Sequence, residues 1–119
     1  MKTSTDPRHK RRQSIIQELF KVDFHTQSTK PEIEKILKKK DQLDQQIQIA
    51  APEFPIEKIN KIDLAILRLA VYELLIEKTE PANVIIDEAI ELAKEFANET
   101  SPAFINGALG NILKNEHIT

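Results

Sequence analysis

The sequence contains no cysteine and no tryptophan, and only two glycines among 119 residues. Without cysteine, disulfide bonds and thiolate metal sites are excluded, and the redox chemistry of the compartment cannot be inferred. A helix that crosses a bilayer needs about 20 apolar residues, and no apolar run in the sequence approaches that length. Residues 1–12 also lack the apolar stretch of a signal peptide. These absences favour a cytoplasmic protein that has no membrane contact.

Aromatic residues are also scarce, at 5%, whereas Leu, Ile, Ala, Glu and Lys are plentiful. This composition favours helices over strands, and no segment alternates with a period of two. The length suits a single domain over residues 1–119, in which residues 1–6 are expected to be flexible. We therefore predict an all-α, compact bundle of about five helices, over residues 7–24, 31–47, 61–77, 82–98 and 101–115.

Capping residues and prolines mark the predicted helix starts. Asp6-Pro7 combines an N-cap acceptor with proline at the first helical position, and Ser101-Pro102 repeats this pattern. Residues 29–32 have capping-box spacing, and Asn60 can cap the third helix. Pro55 to Ile59 is predicted to form one short helical turn.

The third predicted helix is apolar on nearly all sides between Leu64 and Ile76. A helix of this kind is normally central and buried. Its charged residues Asp63, Arg68 and Glu73 are spaced by five, which spreads them around the helix axis. We therefore expect each of them to find a partner on another helix.

No catalytic constellation is present in the sequence. His9, His25 and His117 lack metal-ligand spacing and are interpreted as exposed side chains. Gly107 and Gly110 lie three apart inside a helix, where each costs about 1 kcal/mol relative to alanine, and close approach of a neighbouring helix would explain them. The sequence predicts no enzyme activity, no cofactor and no metal.

Charge is distributed unevenly along the chain. Residues 1–61 carry 13 Lys and Arg against 9 Asp and Glu, whereas residues 62–119 carry 4 against 10. Such a chain can present a basic face to a polyanion and an acidic face to a basic protein. The alternative is that solvated helix faces simply differ in charge.

A basic cluster occupies the first turns of the first helix, at residues 8–12. Cations there face the positive end of the helix dipole, so helix stability alone does not explain them. Arg8 and Arg12 continue the line of the apolar residues Ile15 and Leu19, so we expect these turns to overhang the core and expose their side chains. The cluster predicts a phosphate-binding patch, and the alternative is a solubilising terminus. Lys38 to Lys40 could extend the patch, although a solvated face is the better account of them.

Three segments of the chain carry longer motifs: residues 63–74, DLAILRLAVYEL, residues 84–94, VIIDEAIELAK, and residues 101–110, SPAFINGALG. The first is similar to a D-x-A-I-L-R-L-A-x-Y-E-L helix, the second to V-x-I-N-E-A-V-E-L-A-K and the third to S-x-x-F-V-N-G-V-L-G. In this order they resemble the NusB family of transcription antitermination proteins. Two features depart from the family: the segment after the first helix is shorter by roughly one helix, and Asp87 replaces the usual Asn.

The resemblance implies an RNA-binding factor that suppresses termination during ribosomal RNA transcription. Family members bind single-stranded boxA RNA together with a small-subunit ribosomal protein and join RNA polymerase. For this sequence the resemblance implies phosphate contacts from Arg8, Lys10, Arg11 and Arg12. Phe20 could stack on a base or pack in the core.

The resemblance places further site residues later in the chain, from Glu57 onward. The loop that contains Thr100 matches a second RNA-proximal site, and Glu57 and Asp63 match the side that binds the protein partner. A homodimer is a further expectation when the partners are absent. Two alternatives remain: an RNA-positioning module, as found fused to ribosomal RNA cytosine methyltransferases, and a helical protein-interaction bundle without RNA binding.

Overall fold

The computed structural model describes residues 6–25 and 30–118, and these residues form six α-helices and no strand. The helices are α1 (Pro7–His25), α2 (Pro31–Lys38), α3 (Lys40–Ala50), α4 (Lys61–Tyr72), α5 (Ala82–Phe96) and α6 (Ser101–Asn115). A 3-10 turn (Ile56–Lys58) precedes α4, and a π-helical turn (Glu73–Glu77) follows it. The predicted all-α class and the short turn after Pro55 are confirmed.

The additional helix arises because the predicted second helix is divided at Lys39. Ile33 and Ile36 are buried on α2, and Leu43 and Ile47 are buried on α3. In one straight helix the residue four positions after Ile36 would be Lys40, on the buried face. The bend at Lys39 instead leaves the lysine side chains at 38–40 exposed.

Helix α4 lies at the centre of the bundle, as its sequence predicts. Every residue from Asp63 to Val71 is buried, and α4 contacts α1, α2, α3, α5 and α6. Arg68 is paired across helices, since its Nε donates to Asp44 Oδ1 on α3 at 2.8 Å and its Nη1 donates to Asp23 Oδ1 on α1 at 3.1 Å. We expected the charged residues of α4 to pair with other helices, and this is confirmed for Arg68.

Two of the predicted caps are present. The backbone N–H of Arg8 donates to Asp6 Oδ1, and that of Ile62 donates to Asn60 Oδ1, both at 2.9 Å. Ser101 is not the N-cap that was predicted, because it lies inside α6 and its Oγ accepts from the Asn98 N–H at 3.2 Å. The predictions for Thr29 and for residues 1–5 fall outside the described residues.

The end of α4 differs from a regular helix. After Tyr72 the chain makes the π-helical turn, and Lys78 then adopts a left-handed conformation with φ 55°. Its N–H donates to the Glu73 carbonyl oxygen at 2.8 Å, which closes the turn. The acidic residues Glu73, Glu77 and Glu80 therefore collect beside the start of α1.

No helix of the described residues packs closely against the two glycines. Gly107 and Gly110 are both exposed on α6, and a Cβ atom added at either position would have no heavy atom within 4 Å. The predicted packing role is therefore wrong for contacts among the described residues. None of the described helices combines the length and the apolar character that a membrane crossing requires.

Candidate nucleic-acid interface

Arg12, which was predicted to be exposed and to contact phosphates, is buried between α1, the end of α4 and α5. Its side chain is 3% exposed, and its Nε donates to Glu73 Oε2 at 2.9 Å. Nη1 donates to Glu88 Oε1 at 3.1 Å, and Nη2 also donates to Glu80. Because three carboxylates already hold this guanidinium, the prediction that Arg12 is exposed is wrong, and little of its side chain is left open to a phosphate.

His9 is also buried, contrary to the expectation of an exposed histidine. Its Nδ1 lies 3.1 Å from Glu88 Oε1, and its Nε2 lies 2.8 Å from Glu95 Oε1. Burial by itself lowers the pKa of His9, but the two carboxylates outweigh burial and raise the pKa above its ordinary value. A ring whose two nitrogens both face carboxylates is suited to the doubly protonated, cationic form. His117 is exposed as predicted, and the side chain of His25 lies outside the described set.

The first turns of α1 do not overhang the core because α5 covers one side of them. Glu88 and Leu92, one turn apart, are both buried on α5. Glu88 therefore meets Arg12 and His9 from the face of α5 that packs inward. The sequence indicated part of this arrangement. Glu73 is an acidic residue in a segment that is apolar on nearly all sides, and such a residue needs a basic partner.

The remaining basic residues of the first turns point outward, but two of them are near carboxylates. Arg8 has a 67% exposed side chain, and its Nη1 lies 3.4 Å from Glu80 Oε1. Arg11 is 45% exposed, and its Nε lies 3.5 Å from Glu32 Oε2. Lys10 is exposed and forms no ion pair with any described residue. The start of α1 is therefore less positive than the sequence alone indicates.

A basic surface that the sequence interpretation missed runs along the outer face of α1. It consists of Lys10, Ser14, Gln17, Lys21 and Phe24, which we call the α1 stripe, and all five residues are exposed. Their spacing of four, three, four and three residues aligns them on one face of the helix. Neither lysine is ion-paired among the described residues. The sequence contained the information to find this surface, because the stripe lies on the face of α1 that is opposite its buried residues.

The two acidic residues of α1 pair with residues outside this stripe. Glu18 lies one turn from Ser14 and Lys21 and so flanks the stripe, and its Oε2 is 3.9 Å from Lys30 Nζ. Asp23 is mostly buried against Arg68, on the side of α1 that faces the bundle. The α1 stripe itself contains no carboxylate.

Two phenylalanines lie at the far end of the α1 stripe. Phe20 is partly buried against the core, and its ring meets that of Phe24 edge to face at a centroid distance of 5.1 Å. Phe24 is 60% exposed. Phe24 is therefore the more exposed of these two rings.

The other predicted site residues, Glu57, Asp63 and Thr100, lie near the start of α4, whereas the first turns of α1 lie beside its end. Glu57 is exposed in the 3-10 turn, and Thr100 is exposed just before α6. Asp63 was predicted to lie on the partner-binding surface but is 7% exposed. It therefore cannot act as an exposed surface charge, although it lines a pocket together with Thr100. Burial raises the pKa of Asp63, and a hydrogen bond with Ser101 opposes that rise.

Sequence comparison finds relatives over the larger part of the chain. The family model described as the NusB family matches residues 32–114. The transcription antitermination protein NusB of Clostridium novyi is 41% identical over 75 residues, which are 63% of this chain and 56% of that protein. The NusB protein of Geobacter sulfurreducens is 47% identical over 77 residues, 65% of this chain and 56% of that protein. The chain thus spans about half the length of the curated relatives it matches.

Structural comparison extends the likeness to nearly the whole chain. NusB of T. maritima superposes with a TM-score of 0.82 and 31% identity, covering 96% of this chain and 93% of that one. A crystal structure of the antitermination factors NusB and NusE in complex with dsRNA aligns with a TM-score of 0.78 and 18% identity, covering 92% and 99%. At that identity the second match shows the shared fold alone.

Proposed function

This chain belongs to the NusB family, and on that premise we propose that it is a transcription antitermination factor without enzyme activity. It binds single-stranded, boxA-like RNA together with a small-subunit ribosomal protein and joins RNA polymerase in the cytoplasm. The α1 stripe is the observation that carries this proposal, because it combines unpaired cations, hydrogen-bonding side chains and an exposed ring on one helix face.

The chemistry of the α1 stripe suits a flexible polyanion. Lys10 and Lys21 are about 16 Å apart along the helix axis and are available for phosphate contacts, with Arg11 beside them. Ser14 and Gln17 between them can donate to phosphate or sugar oxygens. Phe24 can stack on a base, a contact worth about 1–3 kcal/mol in single-stranded complexes. We thus assign the phosphate contacts to the outer face of α1 and not to Arg12.

The test is RNA binding measured by fluorescence anisotropy with a labelled boxA-like strand. Lys10→Glu and Lys21→Glu are each expected to weaken binding by about tenfold or more, because each replaces an attraction to phosphate by a repulsion. Lys114→Glu is the matched control, since it makes the same charge change at an exposed position near the end of α6. If all three variants weaken binding equally, the effect is one of net charge and the assignment to the α1 stripe is wrong.

The salt dependence of binding counts the phosphate contacts. With three cations, Lys10, Arg11 and Lys21, the logarithm of affinity should fall with that of salt concentration with a slope of about −2 for a single strand. Lys10→Ala should reduce the magnitude of this slope by about 0.7. An unchanged slope would exclude Lys10 from the phosphate contacts.

A second candidate function is protein interaction without RNA binding. The burial of Arg12 and His9, and the carboxylates near Arg8 and Arg11, favour it because they reduce the positive charge at the start of α1. The two candidates differ at low salt, where a protein-interaction bundle should show near-zero affinity for RNA. Co-purification with the cognate ribosomal protein, with and without the RNA, separates partner binding from RNA binding.

A further inference from the structure

A second group of lysines lies outside the α1 stripe, at the end of α2. It consists of Lys35, Lys38 and Lys39, which we call the α2 lysine face, and all three are exposed. Lys38 and Lys39 follow Lys35 by three and four positions, so the three side chains share one side of the helix. None of them forms an ion pair with any residue in the described ranges 6–25 and 30–118. These cations are therefore available to a ligand.

Helix stability does not account for the whole α2 lysine face. Lys35 and Lys38 lie in the last turn of α2, where the negative end of the helix dipole favours cations. Lys39, however, is also the N-cap residue of α3, and there it faces the positive end of a second dipole. Like charges one turn apart also repel each other. A ligand with negative charge would relieve both effects.

Two contacts place the start of α2 along one flank of the α1 stripe. Arg11 Nε lies 3.5 Å from Glu32 Oε2, and Lys30 Nζ lies 3.9 Å from Glu18 Oε2. Arg11 and Glu18 are seven positions apart, so they point to the same side of α1, about a quarter of a turn from the stripe. The two basic surfaces therefore lie side by side.

A small recess connects the two surfaces. Its volume is about 50 Å³, and Arg11, Lys35 and Tyr72 line it together with Glu32 and Glu77. The carboxylates hold Arg11 loosely, since the contacts from Nε to Glu32 and from Nη2 to Glu77 are 3.5 and 3.8 Å long. A phosphate group can compete with contacts of this length. Arg11 and Lys35 thus bridge the α1 stripe and the α2 lysine face.

The opposite flank of the α1 stripe is acidic. Helix α5 lies there, since Glu95 Oε1 is 2.8 Å from His9 Nε2 and 3.3 Å from Gln13 Nε2. Glu91, one turn earlier on α5, also reaches solvent, with a side chain that is 43% exposed. A polyanion on the α1 stripe is therefore repelled on the α5 side and attracted on the α2 side.

We propose that RNA flanking the boxA-like segment leaves the α1 stripe beside Arg11 and runs over the α2 lysine face, whose ammonium groups bind its phosphates. This inference rests on the proposed function and extends it to a second stretch of RNA. The bend at Lys39 contributes, because it keeps exposed the lysines that a straight helix would turn toward the core. Since the contacts are to phosphates, the flanking RNA needs no particular base sequence.

The experiment compares three labelled RNAs by fluorescence anisotropy: a boxA-like core strand, and the same strand extended by a run of uridines at its 5′ end or at its 3′ end. The full chain should bind one of the two extended strands about tenfold more tightly than the core strand at low salt. No gain at either end would overturn the proposal. A core strand that does not bind at all would instead refute the proposed function, and this inference with it.

A charge-reversed variant assigns the gain to α2. Lys35→Glu with Lys38→Glu should remove the gain from the extension and leave the affinity for the core strand within about twofold. The matched control, Lys94→Glu with Lys114→Glu, makes the same charge change at exposed positions on α5 and α6 and should keep the gain. If both double variants remove the gain, the effect is one of net charge and the proposal is wrong. It is also wrong if Lys35→Glu with Lys38→Glu weakens the core and the extended strands equally.

A milder variant keeps the test independent of any folding defect in the charge-reversed protein. Lys35→Gln with Lys38→Gln removes two cations without adding negative charge. For the extended strand it should reduce the magnitude of the salt slope by about 1.4, since each phosphate contact to a single strand contributes about 0.7. For the core strand the slope should not change. An unchanged slope for the extended strand would exclude the α2 lysine face from the RNA path.

Discussion

The guanidinium of Arg12 on α1 meets the carboxylate of Glu73 at the end of α4 through two hydrogen bonds. Nε donates to Oε2 at 2.9 Å, and Nη2 donates to Oε1 at 2.6 Å. Both side chains are almost completely buried, and Glu88 on α5 accepts from the same guanidinium. Burial lowers the pKa of Arg12, but the carboxylates outweigh it and raise the pKa, so Arg12 stays charged. This contact joins α1 to two other helices.

Replacing Arg12 should destabilise the fold. Arg12→Ala leaves Glu73 and Glu88 buried without their cation, which typically costs about 3–5 kcal/mol. Chemical denaturation followed by circular dichroism measures the change. Arg8→Ala is the control, because Arg8 is exposed and its loose pair with Glu80 should contribute less than about 1 kcal/mol. A stable Arg12→Ala protein with lost RNA affinity would instead support the phosphate contact that the sequence predicted.

His9 should make stability depend on pH. Because its pKa is raised in the folded state, its contribution is fully present below the unfolded value of about 6.5 and is lost as pH rises through the folded pKa. His9→Gln should therefore lower the free energy of unfolding by roughly 1.5–3 kcal/mol at acidic pH, and by less at high pH. Denaturation curves of both proteins across this range provide the measurement. The exposed residue His117 is the control position, and a difference for His9→Gln that grows with pH would contradict the assignment.

The helical class and the central helix could be predicted from the sequence because both depend on local patterns. Asp6 and Asn60 cap helices through atoms two residues away, and residues 64–71 are apolar on nearly every side of one helix, with Arg68 as the one charged residue. Such signals do not require knowledge of which elements pack together. The bend at Lys39 was missed because the helix-forming pattern continues across it, and only the burial of neighbouring residues explains it.

The positions of the charged side chains could not be predicted in the same way. Whether Arg12 points to solvent or to Glu88 depends on whether α5 covers the start of α1, which is a contact between residues 76 positions apart. The sequence showed that Glu73 needed a partner but not which cation would supply it. The exposed face of α1 follows from the same helix periodicity that identified its buried face, so Lys21 and Phe24 were within reach of sequence reasoning.

Asp63→Asn should stabilise the protein at neutral pH. Burial raises the pKa of Asp63, so the folded state favours the protonated form and ionisation at higher pH reduces stability. The amide removes this penalty, and we expect the free energy of unfolding to rise by roughly 1 kcal/mol. The gain should shrink as pH falls through the raised pKa, because Asp63 then becomes neutral as well. Thermal unfolding at neutral and acidic pH tests both the sign and the trend, and a loss of stability at neutral pH would contradict them.

Gly107→Ala and Gly110→Ala should each stabilise α6. Glycine inside a helix is less favourable than alanine by about 1 kcal/mol, and the space beside both positions is open to a methyl group. Neither glycine has a positive φ, so alanine introduces no backbone strain. We expect the unfolding free energy to rise by about 0.5–1 kcal/mol for each variant, and the two effects to add approximately. Urea denaturation of the single and double variants measures this.

Ala103→Gly, at an exposed position of the same helix, is the reverse control, and its unfolding free energy should fall by a similar amount. If the glycine variants are instead destabilised, a close contact outside the described residues must occupy that face of α6.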